Sequence, residues 1–589
     1  MGEIEDLAEV YGGPHKCRPS LFLQIEEGLK INPHGKAVVV AHQASTHLAE
    51  LVNVQDATGQ PGPDHGSDYL SWTFTQLHGA AMGVVKGMIA SGVKPGSTIV
   101  TLIPNGVESL LLLWVSTIMR FTLAPLDVGA LTGPRHEELR ALLQTLKPDV
   151  VVVQSLDDAK WMALLLLESG IPLPQLRFKL DSGTTKQSGW QSDWKTLTSL
   201  VEEGFEYDID QQWLLDRARS YEPDRIALIM FTSGTSSGKP KGCPRHVGSI
   251  SQAMEIQVWG PKYGVGTNML FSTANFRIIA PFTAMALWRV GGTLVMPGAA
   301  FTPEAVLDTI EKHSITNMLL LPFQIHSVVA HPTFSTRDTS TIQTVFTGAD
   351  MITKDLLVKM TIAFPTAVVC TGHGMTEGGA FCEWVWFDTP PAQIPYFGEI
   401  SPLGKISAGS RVRIWDQEAG SVARRGAPGE LHVCNDVTIR HYLGHINEDS
   451  FYSDELGRWF KTGDLGMIDT DGIIYVLGRI KDVVMRAGVP ITPAALESSL
   501  GKLTGVLVSV IAIPSPTFGQ EPFAVLQSYN GRSEAEIKQC ILDVFGKDYQ
   551  LAGTASLKQL GLDAFPLTTT SKVVKFELQK AVQEYLDRQ

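Results

Sequence analysis

The sequence predicts an α/β protein: a large N-terminal domain of α/β layers with a β-rich subdomain, followed by a small α+β C-terminal domain. Three observations support this prediction. A chain of 589 residues is too long for a single hydrophobic core. Apolar strand patterns alternate with helical patterns over residues 70–155 and again over 224–370. Short strands separated by turn signals follow over residues 407–476, and a new α+β pattern begins after Gly478.

Hydrophobic periodicity defines the elements of the N-terminal part. Apolar residues at helical spacing predict helices over residues 75–91 and 107–119, and mainly apolar runs predict strands over 98–102 and 150–153. Because strands that alternate with helices form parallel sheets, we expect a parallel α/β layer here. Residues 181–193 are rich in Ser, Thr and Gly, which predicts a surface loop.

The pattern after Gly478 indicates a separate unit, so the predicted domains are residues 1–477 and 478–589. The charged stretch 478–482 is the predicted linker. In this unit, the sequence predicts strands over residues 506–513 and 524–527, followed by helices over residues 535–544 and 572–588.

Composition and charge exclude several classes of protein. A content of 44% hydrophobic and 19% charged residues is typical of a globular protein and not of a disordered one. The net charge of −13 disfavours nucleic acid as a principal partner. Six scattered cysteines without a C-x-x-C pair disfavour a disulfide framework or a structural zinc site. Since neither a signal peptide, a membrane span nor a peroxisomal C-terminus is recognisable, we expect a cytoplasmic enzyme.

The most informative segment follows a predicted buried strand over residues 225–230. It is Phe231-Thr-Ser-Gly-Thr-Ser-Ser-Gly-Lys-Pro-Lys-Gly-Cys243. Small residues let the backbone close around an anion, hydroxyl and N–H groups can point inward, and lysines neutralise charge. The segment is therefore predicted to bind a polyphosphate.

Two better-known motifs overlap this loop. A Walker A loop has four residues between its glycines and Ser or Thr after its lysine, but three separate Gly234 from Gly238 and Pro240 follows Lys239. The G-x-S-x-G nucleophile elbow also fits, with Ser236 as the nucleophile. That elbow must start a helix at once, and Lys-Pro-Lys-Gly is a poor helix start. A serine hydrolase is therefore the less favoured alternative.

The loop resembles the signature (Thr/Ser)-Ser-Gly-(Thr/Ser)-Thr-Gly-x-Pro-Lys-Gly of the adenylate-forming superfamily, which includes acyl-CoA synthetases, luciferases and adenylation domains of peptide synthetases. Four further motifs of the family follow in the same order: Gly372-His-Gly-Met-Thr-Glu377, Lys461-Thr-Gly-Asp-Leu-Gly466, Gly478-Arg-Ile-Lys-Asp-Val483 and Pro566-Leu-Thr-Thr-Thr-Ser-Lys572. Each motif is short, but five motifs in fixed order over about 340 positions are specific. Residues 68–74 and 124–127 also fit early segments of the family.

The resemblance implies ATP-dependent activation of a small carboxylic acid. The carboxylate attacks the α-phosphorus of ATP, an acyl-adenylate forms, and coenzyme A, as co-substrate, then takes the acyl group as a thioester. Such catalysis mainly requires charge stabilisation and alignment of two anions, with Mg²⁺ as the implied metal. Transfer to an amine or a separate carrier protein, or a catalytically inactive binding module, are alternatives. We expect no fused carrier domain, because the chain stops 17 residues after Lys572.

The resemblance also implies roles for individual residues. Glu377 is the expected magnesium ligand and, with Thr376, part of the catalytic set, because a carboxylate beside a hydroxyl suits a hard cation. His373 stands where the family has an aromatic residue that stacks on adenine; a capping or core histidine is the alternative. Asp464 would accept hydrogen bonds from both ribose hydroxyls; a turn aspartate is the alternative. The other residues implied to bind ATP or AMP are Thr232, Ser233, Gly234, Thr235, Ser236, Lys239, Lys241, Gly348, Ala349, Gly374, Met375 and Arg479.

The remaining implied residues concern the acid and the C-terminal domain. Lys572 is the catalytic lysine that reaches the α-phosphate and the carboxylate, although Ser571 replaces the usual glycine. Lys481 occupies the hinge position, so the small domain is expected to be mobile. Phe276 and Arg277 lie where relatives have an aromatic–histidine pair and form the predicted acyl pocket. A buried Arg277 would need an anion such as a second substrate carboxylate; an arginine that points to solvent is the alternative.

Overall fold

A computed structural model describes residues 6–15, 20–52, 67–132, 135–181, 193–232, 240–254, 263–567 and 573–588. The helices are α1 (Leu21–Ile31), α2 (Ala49–Val52), α3 (Phe74–Ala90), α4 (Val107–Ile118), α5 (His136–Leu146), α6 (Leu156–Ser169), α7 (Leu197–Phe205), α8 (Gln211–Arg219), α9 (Val247–Ala253), α10 (Ile279–Arg289), α11 (Pro303–Lys312), α12 (Pro322–Val329), α13 (Lys354–Ala363), α14 (Pro493–Thr504), α15 (Glu534–Phe545) and α16 (Lys575–Leu586).

The strands are numbered in chain order. They are β1 (Glu9–Tyr11), β2 (Lys36–Val40), β3 (Leu70–Thr73), β4 (Thr98–Leu102), β5 (Thr122–Pro125), β6 (Val150–Val153), β7 (Leu176–Lys179), β8 (Lys195–Thr196), β9 (Ile226–Phe231), β10 (Gly242–His246), β11 (Asn268–Phe271), β12 (Thr293–Met296), β13 (Asn317–Leu319), β14 (Thr344–Gly348), β15 (Val368–Gly372), β16 (Cys382–Glu383), β17 (Lys405–Ile406), β18 (Arg411–Asp416), β19 (Ser421–Val422), β20 (Gly429–Cys434), β21 (Phe451–Asp454), β22 (Gly457–Ile468), β23 (Ile474–Arg479), β24 (Val484–Arg486), β25 (Val489–Ile491), β26 (Val508–Ser515), β27 (Gly519–Leu526) and β28 (Gly553–Ser556).

Two sheets form the N-terminal α/β layers. One has the strand order β10-β9-β5-β4-β6-β7-β8 and the other β15-β14-β13-β11-β12-β2-β3. Strands are parallel except at one edge of each sheet, where β10 is antiparallel to β9 and β3 to β2. One large apolar core contains residues of both sheets and of α3 and α4. The predicted parallel α/β architecture is confirmed.

The predicted helices and strands of this part match the structure closely. Helix α3 begins at a capping box, in which the N–H of Gln76 donates to Thr73 Oγ1 at 3.2 Å and the N–H of Thr73 donates to Gln76 Oε1 at 2.8 Å. Strands β4 and β6 have the predicted bounds. Their residues are almost all buried, as expected for central strands of a sheet that is covered on both faces. Residues 182–192 of the predicted surface loop lie outside the described residues.

The predicted β-rich subdomain is an antiparallel sheet of order β1-β18-β20-β22-β21, with β19 paired to β18 and β23 to β22. Strand β1 joins this sheet from the far end of the chain, with Val10 opposite Val412. Such a short strand has no periodicity, and the sequence did not predict it.

The C-terminal sheet has the order β25-β24-β27-β26, with β28 parallel to β27. Its two apolar cores contain residues from 484 to 582. Strand β23 extends through Gly478 and Arg479, so the predicted linker begins inside a strand and the chain leaves the sheet at Ile480. Helix α16 begins at Lys575, inside the predicted helix 572–588. Within the described ranges, no helix has the length and apolarity that crossing a membrane requires.

Candidate active site

The predicted phosphate loop is closed at its base as a hairpin. The N–H of Thr232 donates to the carbonyl of Lys241 at 3.0 Å, and the N–H of Lys241 donates to Thr232 Oγ1 at 3.3 Å. Strand β10 follows antiparallel to β9, with Gly242 opposite Phe231. The other predicted loop residues, Ser233, Gly234, Thr235, Ser236 and Lys239, lie outside the described residues.

This hairpin bears on the serine-hydrolase alternative. A nucleophile elbow joins a strand directly to a helix, and that turn is what exposes the serine. Here the loop joins two antiparallel strands, and α9 starts at Val247, after β10. The described strands on either side of the loop, β9 and β10, therefore do not have the strand-to-helix connection of an elbow.

Glu377 lies in a tight turn beside the hairpin. The N–H of Gly379 donates to the carbonyl of Met375 at 2.9 Å, which closes the turn, and the carbonyl of Glu377 accepts from the N–H of Ile439 at 2.6 Å. The Glu377 side chain is half-buried and accepts a hydrogen bond at Oε1 from the hydroxyl of Tyr442 at 2.8 Å. Glu377 is thus held by two contacts and is not a free surface carboxylate.

Tyr442 connects two of the predicted residues, and the sequence did not identify it. The ammonium of Lys241 lies 5.0 Å from the centroid of the Tyr442 ring, while the Tyr442 hydroxyl bonds to Glu377. Burial, together with the charge of Glu377, raises the pKa of Tyr442 well above 10, so the hydroxyl stays protonated and remains a donor. A cation and a carboxylate therefore meet at the base of the loop on one tyrosine.

The ends of β14 and β15 form the predicted adenine side. Gly348 is paired with Gly372, and a Cβ at Gly348 would lie 2.4 Å from the carbonyl oxygen of Gly372, so only glycine fits there. Ala349 continues in the left-handed region at φ 67°. His373 packs edge to face on Phe381 at 5.3 Å. These residues and the next two, Gly374 and Met375, lie where ligands bind in α/β sheets, at the carboxyl ends of parallel strands.

The packing on Phe381 supports the alternative of a core histidine at position 373. An imidazole fixed by a protein ring can still present its other face to a base. The role of His373 in adenine binding stays a prediction.

Asp464 and Arg479 face each other on β22 and β23. Arg479 Nε lies 3.0 Å from Asp464 Oδ1, and Arg479 Nη1 donates to the carbonyl of Thr462 at 3.0 Å. Asp464 is inside a strand, so the alternative of a turn aspartate is wrong. Gly463 precedes Asp464 in the chain, and its N–H donates to Glu430 Oε1 at 3.2 Å. The sequence did not indicate this contact. The structure thus brings Asp464 and Arg479 together.

The predicted hinge residue Lys481 and the predicted catalytic residue Lys572 belong to the C-terminal part of the chain. Lys481 is exposed in a turn in which the N–H of Val483 donates to the carbonyl of Arg479 at 3.0 Å. Lys572 lies outside the described residues. The residues on either side of this segment lie next to each other, because Leu567 and Val573 form an antiparallel bridge.

Phe276 and Arg277 lie in the turn between β11 and α10, and both are half-buried. The turn is tied down by Asn275, whose amide donates to the carbonyl of Ile103 at 2.8 Å. Burial lowers the pKa of Arg277, and the charge of Asp127 opposes this shift. Arg277 therefore already lies in the field of a protein carboxylate, and it does not simply point to solvent.

These features define a nucleotide-binding α/β enzyme. The model of the AMP-binding enzyme family matches residues 42–443. An acyl-CoA ligase of Pestalotiopsis microspora is 38% identical over 98% of this chain and 99% of its own length. A 4-coumarate–CoA ligase of Vanilla planifolia is 25% identical over 83% of this chain and 85% of its own. The chain therefore belongs to the AMP-binding enzyme family, and the resemblance to adenylate-forming enzymes is confirmed.

Solved structures show the same fold. ATP-bound MatB from Rhodopseudomonas palustris superposes with a TM-score of 0.72 at 19% identity, covering 96% of this chain and 99% of that one. The amide bond synthetase McbA from Marinactinospora thermotolerans gives 0.73 at 18% identity, covering 95% and 99%. O-succinylbenzoate–CoA synthetase from Bacillus subtilis, in complex with ATP and magnesium, gives 0.71 at 19% identity, covering 96% and 100%. The predicted α/β fold class is thus confirmed over 95–96% of the chain.

Proposed function

We propose that the protein activates a carboxylic acid with ATP to an acyl-adenylate and then transfers the acyl group to coenzyme A. The observation that carries this proposal is the convergence of Lys241 and Glu377 on Tyr442 at the base of the loop. Similarity to an acyl-CoA ligase over nearly the full length of both chains supports the thiol acceptor.

Lys241 and the loop would hold the phosphates, and Glu377 would hold Mg²⁺. Glu377 Oε1 is occupied by Tyr442, and within the described residues Oε2 has no hydrogen bond. In that part of the chain no group of three or more His, Cys, Asp or Glu side chains is placed to hold a metal ion. A single carboxylate fits Mg²⁺, which is usually bound by one or two carboxylates, substrate phosphates and water. The ion would neutralise phosphate charge.

The nucleoside would lie between two parts of the site. Asp464 would accept from the ribose hydroxyls, sharing its oxygens with Arg479. Adenine would lie against the Gly348–Ala349 backbone and His373. Thr376 would reach a phosphate oxygen.

The chemical step joins a carboxylate oxygen to the α-phosphorus and breaks the bond between the α-phosphorus and its bridging oxygen, so that pyrophosphate leaves. Lys572 would neutralise charge as the two anions meet. Thiol attack on the acyl carbon then expels AMP and forms the thioester. No redox change occurs in either step.

We further propose that residues 478–589 form a domain that rotates about Lys481. Their separate apolar cores support this division. Lys502 on α14 lies 3.3 Å from Asp355 and 3.6 Å from Glu399, so rotation would break these contacts. All three side chains are substantially exposed, so each ion pair contributes only about 0–1 kcal/mol and is easily exchanged.

ATP–pyrophosphate exchange across a panel of carboxylic acids tests the first half-reaction, and acceptor-dependent AMP release tests the second. We expect exchange with a subset of acids and acceleration of AMP release by coenzyme A, but not by amines or a carrier protein. Acceleration by an amine alone would favour an amide-forming enzyme. Absence of exchange with every acid would favour an inactive binding module. Labelling of Ser236 by a fluorophosphonate would revive the hydrolase. Residence in the cytoplasm stays a prediction.

A further inference from the structure

Strand β22 is irregular at Asp464. The pairing of β20 with β22 shifts between Glu430 and His432, so that Leu431 alone lies opposite residues 462–464. One residue of β20 thus faces three of β22. A bulge of this kind bends its strand and redirects the side chains in it, and bulges are frequent beside active sites. The direction in which Asp464 points therefore depends on what holds the bulge.

The backbone groups of the bulge have partners outside the regular ladder. Gly463 has a left-handed φ of 71°, and its carbonyl accepts from the N–H of Ile480 at 3.0 Å. The N–H of Asp464 donates to Thr462 Oγ1 at 3.0 Å. The N–H of Gly463 donates to a side chain, at 3.2 Å from Glu430 Oε1. Gly463 is therefore held at its N–H by Glu430 and at its carbonyl by Ile480.

Glu430 is a fixed and ionised acceptor. Its side chain is buried, its Oε2 accepts from the amide of Gln417 at 3.0 Å, and His432 Nε2 lies 3.2 Å from the same oxygen. Burial alone would raise the pKa of Glu430, but the contacts with His432 and Gln417 and the N–H of Gly463 together lower it below 4.5. A hydrogen bond to an ionised acceptor is about twice as strong as one between neutral groups.

The bulge needs such an acceptor because its central residue is glycine. Glycine adopts many backbone conformations at little cost, so it does not fix the chain by itself. Asp464 follows directly, and its Oδ1 already lies 3.0 Å from Arg479 Nε. A carboxylate that must also accept from two ribose hydroxyls tolerates little displacement, because hydrogen bonds weaken steeply with distance and angle.

We propose that Glu430 is a positioning residue for nucleotide binding, which holds the bulge at Gly463 and thereby aims the carboxylate of Asp464 at the ribose. This inference rests on the proposed function, in which Asp464 accepts from the ribose hydroxyls. Both oxygens of Glu430 have protein donors, so Glu430 acts through Asp464 and not by contact with the nucleotide.

The test measures Kd for ATP and for 2′,3′-dideoxy-ATP, which lacks both ribose hydroxyls, in the presence of Mg²⁺. We expect wild type to bind ATP at least about tenfold more tightly than the dideoxy analogue. Glu430→Met removes the acceptor, so Kd for ATP should rise about tenfold while Kd for the analogue hardly changes. A residue that only stabilises the sheet would lower Tm without changing this ratio.

Two conservative variants sharpen the test. Glu430→Gln keeps an oxygen for the N–H of Gly463, so it should retain most of the preference for ATP, although loss of the charge should lower Tm. Glu430→Asp keeps the charge but withdraws the carboxylate by one methylene group, so it should lose the preference. It also carries the test if Glu430→Met does not fold.

Glu108→Met is the matched control. Glu108 is likewise a buried carboxylate that accepts from a glutamine amide, at 2.8 Å from Gln43, and that lies beside a histidine, at 2.6 Å from His47. Its contacts also lower its pKa below 4.5. The substitution should lower Tm as Glu430→Met does, but it should leave the ratio of the two Kd values unchanged.

A double variant shows whether Glu430 acts through Asp464. If it does, Glu430→Met combined with Asp464→Asn should bind ATP about as weakly as Asp464→Asn alone, because residues that act as one unit are not additive. Additive losses, or equal weakening of ATP and the dideoxy analogue in Glu430→Met, would overturn the inference. Binding requires no acid, so absence of pyrophosphate exchange in wild type would refute the proposed function and leave the role of Glu430 to the Kd ratio.

Discussion

The hydroxyl of Tyr442 donates a hydrogen bond to Oε1 of Glu377 at 2.8 Å, across 65 positions of sequence. The same ring lies under the ammonium of Lys241. One side chain thus fixes the expected magnesium ligand relative to the cation at the base of the phosphate loop. Because the pKa of Tyr442 is raised by burial and by the charge of Glu377, its hydroxyl stays protonated and can donate this hydrogen bond.

Tyr442→Phe removes this hydrogen bond and keeps the ring under Lys241. We expect the Mg²⁺ concentration for half-maximal pyrophosphate exchange to rise about tenfold, because a hydrogen bond to a charged group is worth about 1.5–3 kcal/mol. The matched control is Tyr475→Phe, whose hydroxyl donates to the carbonyl of Pro395 at 2.7 Å outside the site. An equal shift in both variants would contradict a specific role for Tyr442.

Glu377→Gln removes the charge while an amide oxygen can still accept from Tyr442. We expect the Mg²⁺ requirement to rise more than in Tyr442→Phe, with an unchanged Tm, because a hard cation needs the carboxylate charge. A magnesium titration of activity and a thermal melt measure both effects. If the titration curve matches that of wild type, Glu377 is not the metal ligand.

Asp464→Asn separates nucleotide binding from stability. Arg479 is 54% exposed, so loss of its ion pair with Asp464 should cost only about 0–1 kcal/mol of unfolding free energy. The amide can accept from the ribose hydroxyls only through its single oxygen, so we expect KM for ATP to rise at least tenfold. Steady-state kinetics with varied ATP measure it. A large loss of Tm with an unchanged KM would assign Asp464 to the sheet alone.

The sequence predicted those elements whose residues carry their own pattern. Helix α3 and strand β4 have local periodicity and capping, and Asp464 belongs to a recognisable motif. Tyr442 and Glu430 do not, because their partners Glu377 and Gly463 are 65 and 33 positions away. Only tertiary packing brings these side chains together.

Strands formed against local propensity were also missed. Strand β10 contains Gly242 and Pro244, which disfavour a strand, yet it pairs with β9 at the edge of the sheet, where a missing N–H is tolerated. Residues 242–246 therefore form a strand because they pair with β9, and their own composition does not predict it.

Lys572→Ala should abolish adenylate formation and leave thioester formation from a supplied acyl-adenylate largely intact. Loss of one charge-assisted contact in the transition state costs roughly 3–4 kcal/mol, or about a hundred- to a thousandfold in pyrophosphate exchange. Lys575→Met is the control, because Lys575 Nζ lies 2.7 Å from Glu497 and serves the C-terminal core. It should lower Tm but not remove exchange. Unchanged exchange in Lys572→Ala would exclude this lysine from the mechanism.

The half-buried His47 and the buried Glu108, near the N-terminus of α4, form a pair that predicts a pH dependence of stability. His47 Nε2 lies 2.6 Å from Glu108 Oε1, and Gln43 donates to Glu108 Oε2 at 2.8 Å. The hydrogen bond that His47 donates to the Glu108 carboxylate raises the pKa of His47 above 6.5, although burial opposes this shift. Burial alone would raise the pKa of Glu108, but His47 and Gln43 together lower it below 4.5. The stabilisation by the pair is therefore complete between about pH 4.5 and 6.5.

The stabilisation by this pair is lost when the pH rises through the folded pKa of His47, because the imidazole loses its charge. It is also lost when the pH falls through the folded pKa of Glu108, because the carboxylate becomes protonated. His47→Gln keeps a hydrogen-bonding side chain but cannot become charged. We expect the Tm difference between wild type and this variant to be largest near pH 6, to shrink as the pH rises from about 6.5 through the folded pKa of His47, and to be lost above that pKa. His42, whose pKa is lowered by burial, and the other histidines are present in both proteins, so the comparison isolates position 47. A Tm difference that stays constant or grows with pH would show that His47 is neutral in the folded protein, and that the pair is held by an uncharged hydrogen bond.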